Sequence, residues 1–209
     1  CGVAGGGCDS GALLVGRDTI SGGAEPNQPN TILNSCPDGT LGFFHSDESV
    51  DRIKILTLDG GVFAPGKTVR IDTTVWVFSA TVDRLELYYA ANANSPSWTF
   101  LTTITPSAAG AQTLSTTYVL PAGGLQAVRA RYRDSNFTPS LTTCAGTVAN
   151  YDDYDDLVFT VDTAGSSPLL NVQNVSMTLG GSADGTAAAI GPATSQTPQK
   201  SSMTGALAG

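Results

Sequence analysis

Two groups of carboxylates are the residues whose types and spacing could do chemistry. Asp47, Glu48 and Asp51 follow His45 closely, and Asp152, Asp153, Asp155 and Asp156 fall within five positions, interleaved with Tyr151 and Tyr154. Carboxylates this dense repel one another unless they are solvated, ion-paired or neutralised by a bound cation. Calcium is the hard ion that accepts several carboxylate and carbonyl oxygens with loose geometry. The spacing lacks the fixed Gly and terminal Glu of the twelve-residue calcium loop, so structural Ca2+ stands beside two other expectations. These are solvated loop carboxylates and ion pairs to Arg52, Arg129, Arg131 and Arg133. Arg129, Arg131 and Arg133 alternate with Ala130 and Tyr132 and therefore share one strand face. That face would meet an anionic polysaccharide or, in a chain this acidic, pair with the Asp cluster.

The single histidine, His45, stands in Phe44-His45-Ser46-Asp47-Glu48-Ser49. Sequence neighbours seldom present a Ser–His–acid relay and there is no nucleophile elbow, so His45 is expected to order the lead-in to a strand. A zinc site would need His45 with carboxylates or free thiols, and the thiols are expected to be oxidised. No catalytic residue is assigned. Sugar binding uses flat rings, and the candidates are Tyr151 and Tyr154, expected exposed in a polar loop, with Trp98 after the Asn92–Pro96 loop. Asn174-Val175-Ser176 and Asn136-Phe137-Thr138 fit the N-glycosylation pattern, the second weakened by Pro139 behind it.

The four cysteines, Cys1, Cys8, Cys36 and Cys144, form no metal-type C-x-x-C pair, and two disulfides are expected. Of the three connectivities, Cys1–Cys8 with Cys36–Cys144 is preferred, because the first closes a glycine-rich turn and the second ties an early segment to a late loop. The other two remain open. Closing the longer loop would stabilise the fold by about 4–5 kcal/mol in the chain-entropy treatment. Cys1-Gly2 also fits a processed lipoprotein start, against half of a disulfide or a cleavage boundary. With neither an initiator Met nor a signal peptide, the chain reads as mature or excised. Charged residues are only 13% of the chain, and Gly, Ser, Thr and Ala are abundant, which suits an extracellular β-protein. A net charge of -8 with ten basic residues argues against nucleic acid, and no apolar run approaches the length of a membrane span.

The elements that would position these groups are strands. Lys67 to Phe78 alternates most clearly, with Val69, Ile71, Thr73, Val75 and Val77 on one face and Arg70, Asp72, Thr74 and Trp76 on the other. Other strands are expected around Ile53–Leu58, Leu85–Tyr89, Trp98–Ile104, Thr113–Leu120, Leu125–Tyr132 and Leu157–Val161. Seven strands without helical periodicity predict an all-β fold: a two-sheet antiparallel β-sandwich, jelly-roll or immunoglobulin-like, with extended N- and C-terminal arms. The expected divisions are a glycine-rich lead-in over 1–50, the sandwich body over 51–161, and a low-charge arm over 162–209. In the arm, Val175, Met177 and Leu179 alternate with Ser176 and Thr178, as in a strand laid on a sheet edge.

Residues 9–161 resemble a β-rich module that recurs in secreted proteins, often appended to extracellular proteases or other hydrolases. The resembling stretches are Cys8-Asp9-Ser10-Gly11 with Leu13 to Arg17, Glu25-Pro26-Asn27 with Pro29-Asn30-Thr31, and His45 to Ser49 with Asp51-Arg52-Ile53. Leu85 to Ala90, Trp98-Thr99-Phe100, Leu120 to Arg131 and Asp152 to Phe159 complete them. The resemblance implies secretion and a non-catalytic accessory role, and it offers no catalytic residue. Two functions are therefore expected: a secreted or cell-surface structural or adhesive subunit that assembles with further copies through its arms, or an accessory module binding a carbohydrate, such as a cell-surface glycan, or a protein.

Overall fold

The computed structural model describes residues 1–11, 36–42, 44–144 and 149–163. Among the described residues, eight strands form two four-stranded sheets. In chain order they are β1 (Gly7–Asp9), β2 (Ser49–Thr57), β3 (Thr68–Val77), β4 (Asp83–Ala90), β5 (Thr99–Ile104), β6 (Gly110–Val119), β7 (Leu125–Asp134) and β8 (Asp153–Thr160). One sheet has the order β1-β2-β3-β6 and the other β5-β4-β7-β8, and every pairing is antiparallel. The all-β, two-sheet expectation holds as a sandwich-like architecture. The chain divides into two units, Cys1–Leu169 and Leu170–Gly209. Asn174, Val175, Met177 and Leu179, and nearly all of the expected C-terminal arm, lie outside the described residues.

The alternation along β3 turns directly into packing. Val69, Ile71, Val75 and Val77 are buried against Ile53, Ile55, Leu85, Leu87, Val128 and Phe159 in one core between the sheets. Arg70, Asp72, Thr74 and Trp76 take the opposite face. The β2–β3 turn is set by Asp59, whose Oδ1 accepts from Gly61 N at 3.0 Å and whose other oxygen pairs with Lys67. Gly60, at φ 71°, supplies the left-handed step.

The strand set departs from the sequence reading at both ends. β1 is an added eighth strand inside the glycine-rich lead-in, pairing Cys8 with Ile55. β8 begins at Asp153, so three of the four carboxylates of the acidic cluster are in strand and Asp152 immediately precedes it. Both disulfides have the preferred connectivity, Cys1–Cys8 and Cys36–Cys144. The Cys1 sulfur is thereby used within the fold.

The second sheet is buried on both of its faces along β7, where nine consecutive residues from Gln126 to Asp134 are buried. Val128, Ala130 and Tyr132 face the core. Arg129, Arg131 and Arg133 face outward under the β7–β8 connection, and each gives Nη1 to one of its carbonyls: Arg133 to Thr138 at 2.9 Å, Arg131 to Pro139 at 2.9 Å, Arg129 to Thr143 at 2.8 Å. Cys144 then fastens the connection to the lead-in through Cys36. Beyond Cys36 the lead-in runs beside the start of β8, with Gly39 N donating to Asp152 O at 2.8 Å, Leu41 N to Asn150 O at 3.0 Å and Tyr154 N to Asp38 Oδ1 at 2.8 Å.

Candidate functional site

The two acidic groups separate in the fold. The alternation of β8 sends Tyr154 and Asp156, with Asp152 just before the strand, to the arginine face and Asp153 and Asp155 to the other. Arg129 holds Asp156 through Nε and Nη2 at 2.6 and 2.8 Å. Arg131 gives Nε and Nη2 to Asp152 Oδ2 at 2.9 and 2.7 Å, and Nη1 to Glu86 at 3.1 Å. Arg133 completes the ladder on Glu86 at 2.8 Å. Burial holds the Asp156 carboxyl above its usual range, although Arg129 pulls the other way. Asp153 accepts from Val50 N at 2.7 Å and so ties β8 to β2. Asp155 is buried. Ion pairing with the arginines is thus where Asp152 and Asp156 are found, and the ladder presents no cationic surface to a polysaccharide.

Tyr154, expected on an exposed loop, is 1% exposed: its hydroxyl donates to Asp152 at 3.1 Å and Arg131 lies over its ring. The Arg129 guanidinium sits 4.3 Å from the ring centroid of Trp98, which closes the outer side of the ladder instead of standing free. The buried Tyr154 ring is closed to a ligand, and Trp98 is half-buried. Asn136 is exposed, whereas the hydroxyl of Thr138 is buried on Asp152 at 2.8 Å.

Asp51 takes a third position. A register shift between Val50 and Arg52 bulges β2 at Asp51, whose oxygens accept from Ser49 Oγ at 2.8 Å and meet His45 Nε2 at 2.9 Å. Serine and histidine both bond the acid and not each other, so these three residues form no Ser–His–Asp relay. His45 stacks on Phe44 at 3.7 Å and on Trp76 at 4.5 Å.

Asp47, Glu48 and Tyr151 do come together. They line a cleft of about 130 Å³ with Phe78, Asp134 and Phe137, at the end of the body where the β3–β4 and β7–β8 connections meet the lead-in. Phe78 is 55% exposed and Phe137 56%, the latter edge-on to Tyr151 at 5.0 Å. Gly42, at φ 94°, lies close against Asp47 and Tyr151, where a side chain would crowd both. Asp134 is buried opposite Asp83 across the β4–β7 ladder, with Tyr132 beside them. Burial, with the nearby Asp134 charge adding to it, raises the Asp83 carboxyl to about 6, against hydrogen bonds from Ser79 and Phe78 that lower it. Burial raises the Tyr132 phenol too, and Asp83 and Glu48 add to it.

Phe78, Asp134 and Phe137 were not singled out by sequence reasoning. In the sequence, Phe78 ends an alternating strand and Phe137 is the middle residue of a glycosylation pattern. An apolar residue just beyond the last inward position of β3 was the available signal for Phe78. Among the described residues, no three His, Cys, Asp or Glu side chains are grouped so as to hold a metal ion, and no helix is long and apolar enough to cross a membrane.

The fold and cleft define the class: a disulfide-linked, two-sheet antiparallel β-protein with an acidic, aromatic-rimmed cleft at one end. Compared with known proteins, the chain matches no family model, no curated protein and no solved structure.

Proposed function

We propose that this protein is a secreted, non-catalytic binding module that takes a sugar unit of an extracellular glycan at the Asp47–Tyr151 cleft. The observation that carries the reading is the pairing of exposed aromatic rings, Phe78 and Phe137 with Tyr151, with the carboxylates of Asp47, Glu48 and Asp134 around one concavity. Rings offer a flat apolar surface for the apolar face of a pyranose, and carboxylates accept hydrogen bonds from its hydroxyls. The sign of the site selects the ligand: neutral or amino sugars fit, and uronic or sulfated sugars are repelled. The volume suits one protruding unit of a polymer. Support for secretion comes from the two disulfides. Assembly through the terminal arms has no comparable support, because it rests on residues outside the described ones.

Retention of the purified chain on neutral, amino and sulfated polysaccharide columns tests the reading, with and without a chelator. Retention on the first two, reduced at least about tenfold in a Tyr151→Ala variant of unchanged melting temperature, supports it. Loss of retention on chelation would bring in calcium, the ion expected at Asp47 and Glu48. Equal retention of wild type and variant, or none at all, would sink it.

A further inference from the structure

The two sheets have four outer edges, and three are limited. β8 is met by the main chain of Cys1, whose carbonyl accepts from Thr160 N at 3.1 Å, and its start is flanked by the lead-in around Asp38 to Leu41. β1 is three residues long and ends on Asp9, ion-paired with Arg52. β5 has six residues and a register shift against β4 between Leu87 and Tyr88.

β6 is different. Its ten residues pair with β3 one for one, from Thr68 opposite Val119 to Val77 opposite Gly110, without a shift. Among the described residues nothing pairs with its outer edge. Edge strands are ordinarily blunted by a charge, a proline or a bulge, because an open row of amides and carbonyls templates another strand. β6, Gly-Ala-Gln-Thr-Leu-Ser-Thr-Thr-Tyr-Val, has none of these. The neutrality extends well beyond it: no Asp, Glu, Lys or Arg occurs between Glu86 and Arg129, a span that contains both β5 and β6. On a chain with a net charge of -8, two copies would meet at β6 with no charged side chain on the strand itself; the neighbouring Asp72 of β3, which accepts from Ser115 Oγ at 2.7 Å, is ion-paired with Arg70.

We propose that β6 is a self-pairing edge: two copies of this chain join β6 to β6, antiparallel, and fuse two four-stranded sheets into one of eight. Antiparallel pairing of identical strands is two-fold symmetric, so it closes as a dimer and leaves no second β6 edge to propagate. A two-fold axis at Ser115 sets Thr113 of one copy opposite Thr117 of the other, on the exposed face, where β-branched neighbours favour pairing. The proposal is independent of the glycan reading, since the cleft is lined by none of these residues.

Sedimentation equilibrium of the full chain from low to high micromolar concentration tests it. A reversible dimer is expected, with exchange protection of the 110–119 amides that rises with concentration. The variant Thr113→Lys with Thr117→Lys places like charges across the pair and is expected to weaken association at least about tenfold, its circular dichroism unchanged. Mixing it with Thr113→Glu plus Thr117→Glu is expected to restore a dimer. A wild-type monomer at all concentrations overturns the proposal and leaves the edge to an extended peptide of another protein. A dimer indifferent to the lysines, protection independent of concentration, or folded variants that fail to pair when mixed overturn it equally.

Discussion

Arg131 lies between two carboxylates carried by different parts of the sheet, with Nη2 2.7 Å from Asp152 and Nη1 3.1 Å from Glu86, and all three side chains are closed to solvent. Glu86 is shared in turn with Arg133, and its Oε2 accepts from the Tyr88 hydroxyl at 2.6 Å. Each charge has a partner, and the Nη1 of each arginine also reaches a carbonyl of the β7–β8 connection.

Replacing Arg131 by Met is expected to destabilise the protein by about 3–5 kcal/mol, because Asp152 would lose its buried countercharge and Glu86 one of two. Urea unfolding measures it. A loss under about 1 kcal/mol would mean that water enters and solvates the carboxylates, and that the ladder is not dry.

Leu141 adopts φ 62° although its side chain is 60% exposed. That conformation aims its amide at both oxygens of Glu86, at 3.3 and 3.2 Å. A left-handed non-glycine residue is strained, and here the strain serves the ladder and not packing. Leu141→Gly should therefore raise stability by about 0.5–1 kcal/mol after allowing for the extra freedom of the unfolded chain. A lower melting temperature than wild type would refute this.

The Cys36–Cys144 bridge spans 108 residues and anchors the covering connection to the lead-in. Serine at both positions is expected to cost about 2–5 kcal/mol. The loss should show first as faster exchange of the connection's own amides, Thr138 and Leu141 among them, since the connection lifts before the core opens. Uniform exchange across both sheets would contradict that order of events.

How much was legible follows from which faces meet water. β3 has one wet face, so apolar and polar residues alternate and its burial pattern could be read off directly. β7 and β8 are dry on both faces, and polarity there records pairing partners instead of exposure. Arg129, Arg131 and Arg133 could be placed on one face by spacing, and pairing with the Asp cluster was among the readings. The depth of their burial, and that of Tyr154, had no signal, because it depends on a connection folding back over them. β1 was missed because three residues in a glycine-rich segment carry no period. The cleft was half legible: Asp47, Glu48 and Tyr151 stood out by type, while Asp134 reaches it from the end of β7 and Phe137 through the β7–β8 connection.

Asp83 gives the fold a pH dependence of defined sign. Its carboxyl is raised from 3.8 to about 6, so the folded state binds a proton more tightly than the unfolded chain. The benefit is complete below the unfolded value near 4 and is lost as pH rises through about 6, leaving the protein less stable at pH 7 than at pH 4 as far as this group is concerned. Other carboxylates work in the opposite sense, Asp9 among them: its hydrogen bond to Arg52, above all, lowers its pKa. The test is therefore the difference between wild type and Asp83→Asn. Asparagine keeps an acceptor for Ser79 N and removes the charge facing Asp134, so the variant should match wild type at pH 4 and exceed it by about 1–2 kcal/mol at pH 7.5. A constant difference across that range would show that Asp83 does not titrate within it, and that the Asp83–Asp134 pair is neutralised by some other means.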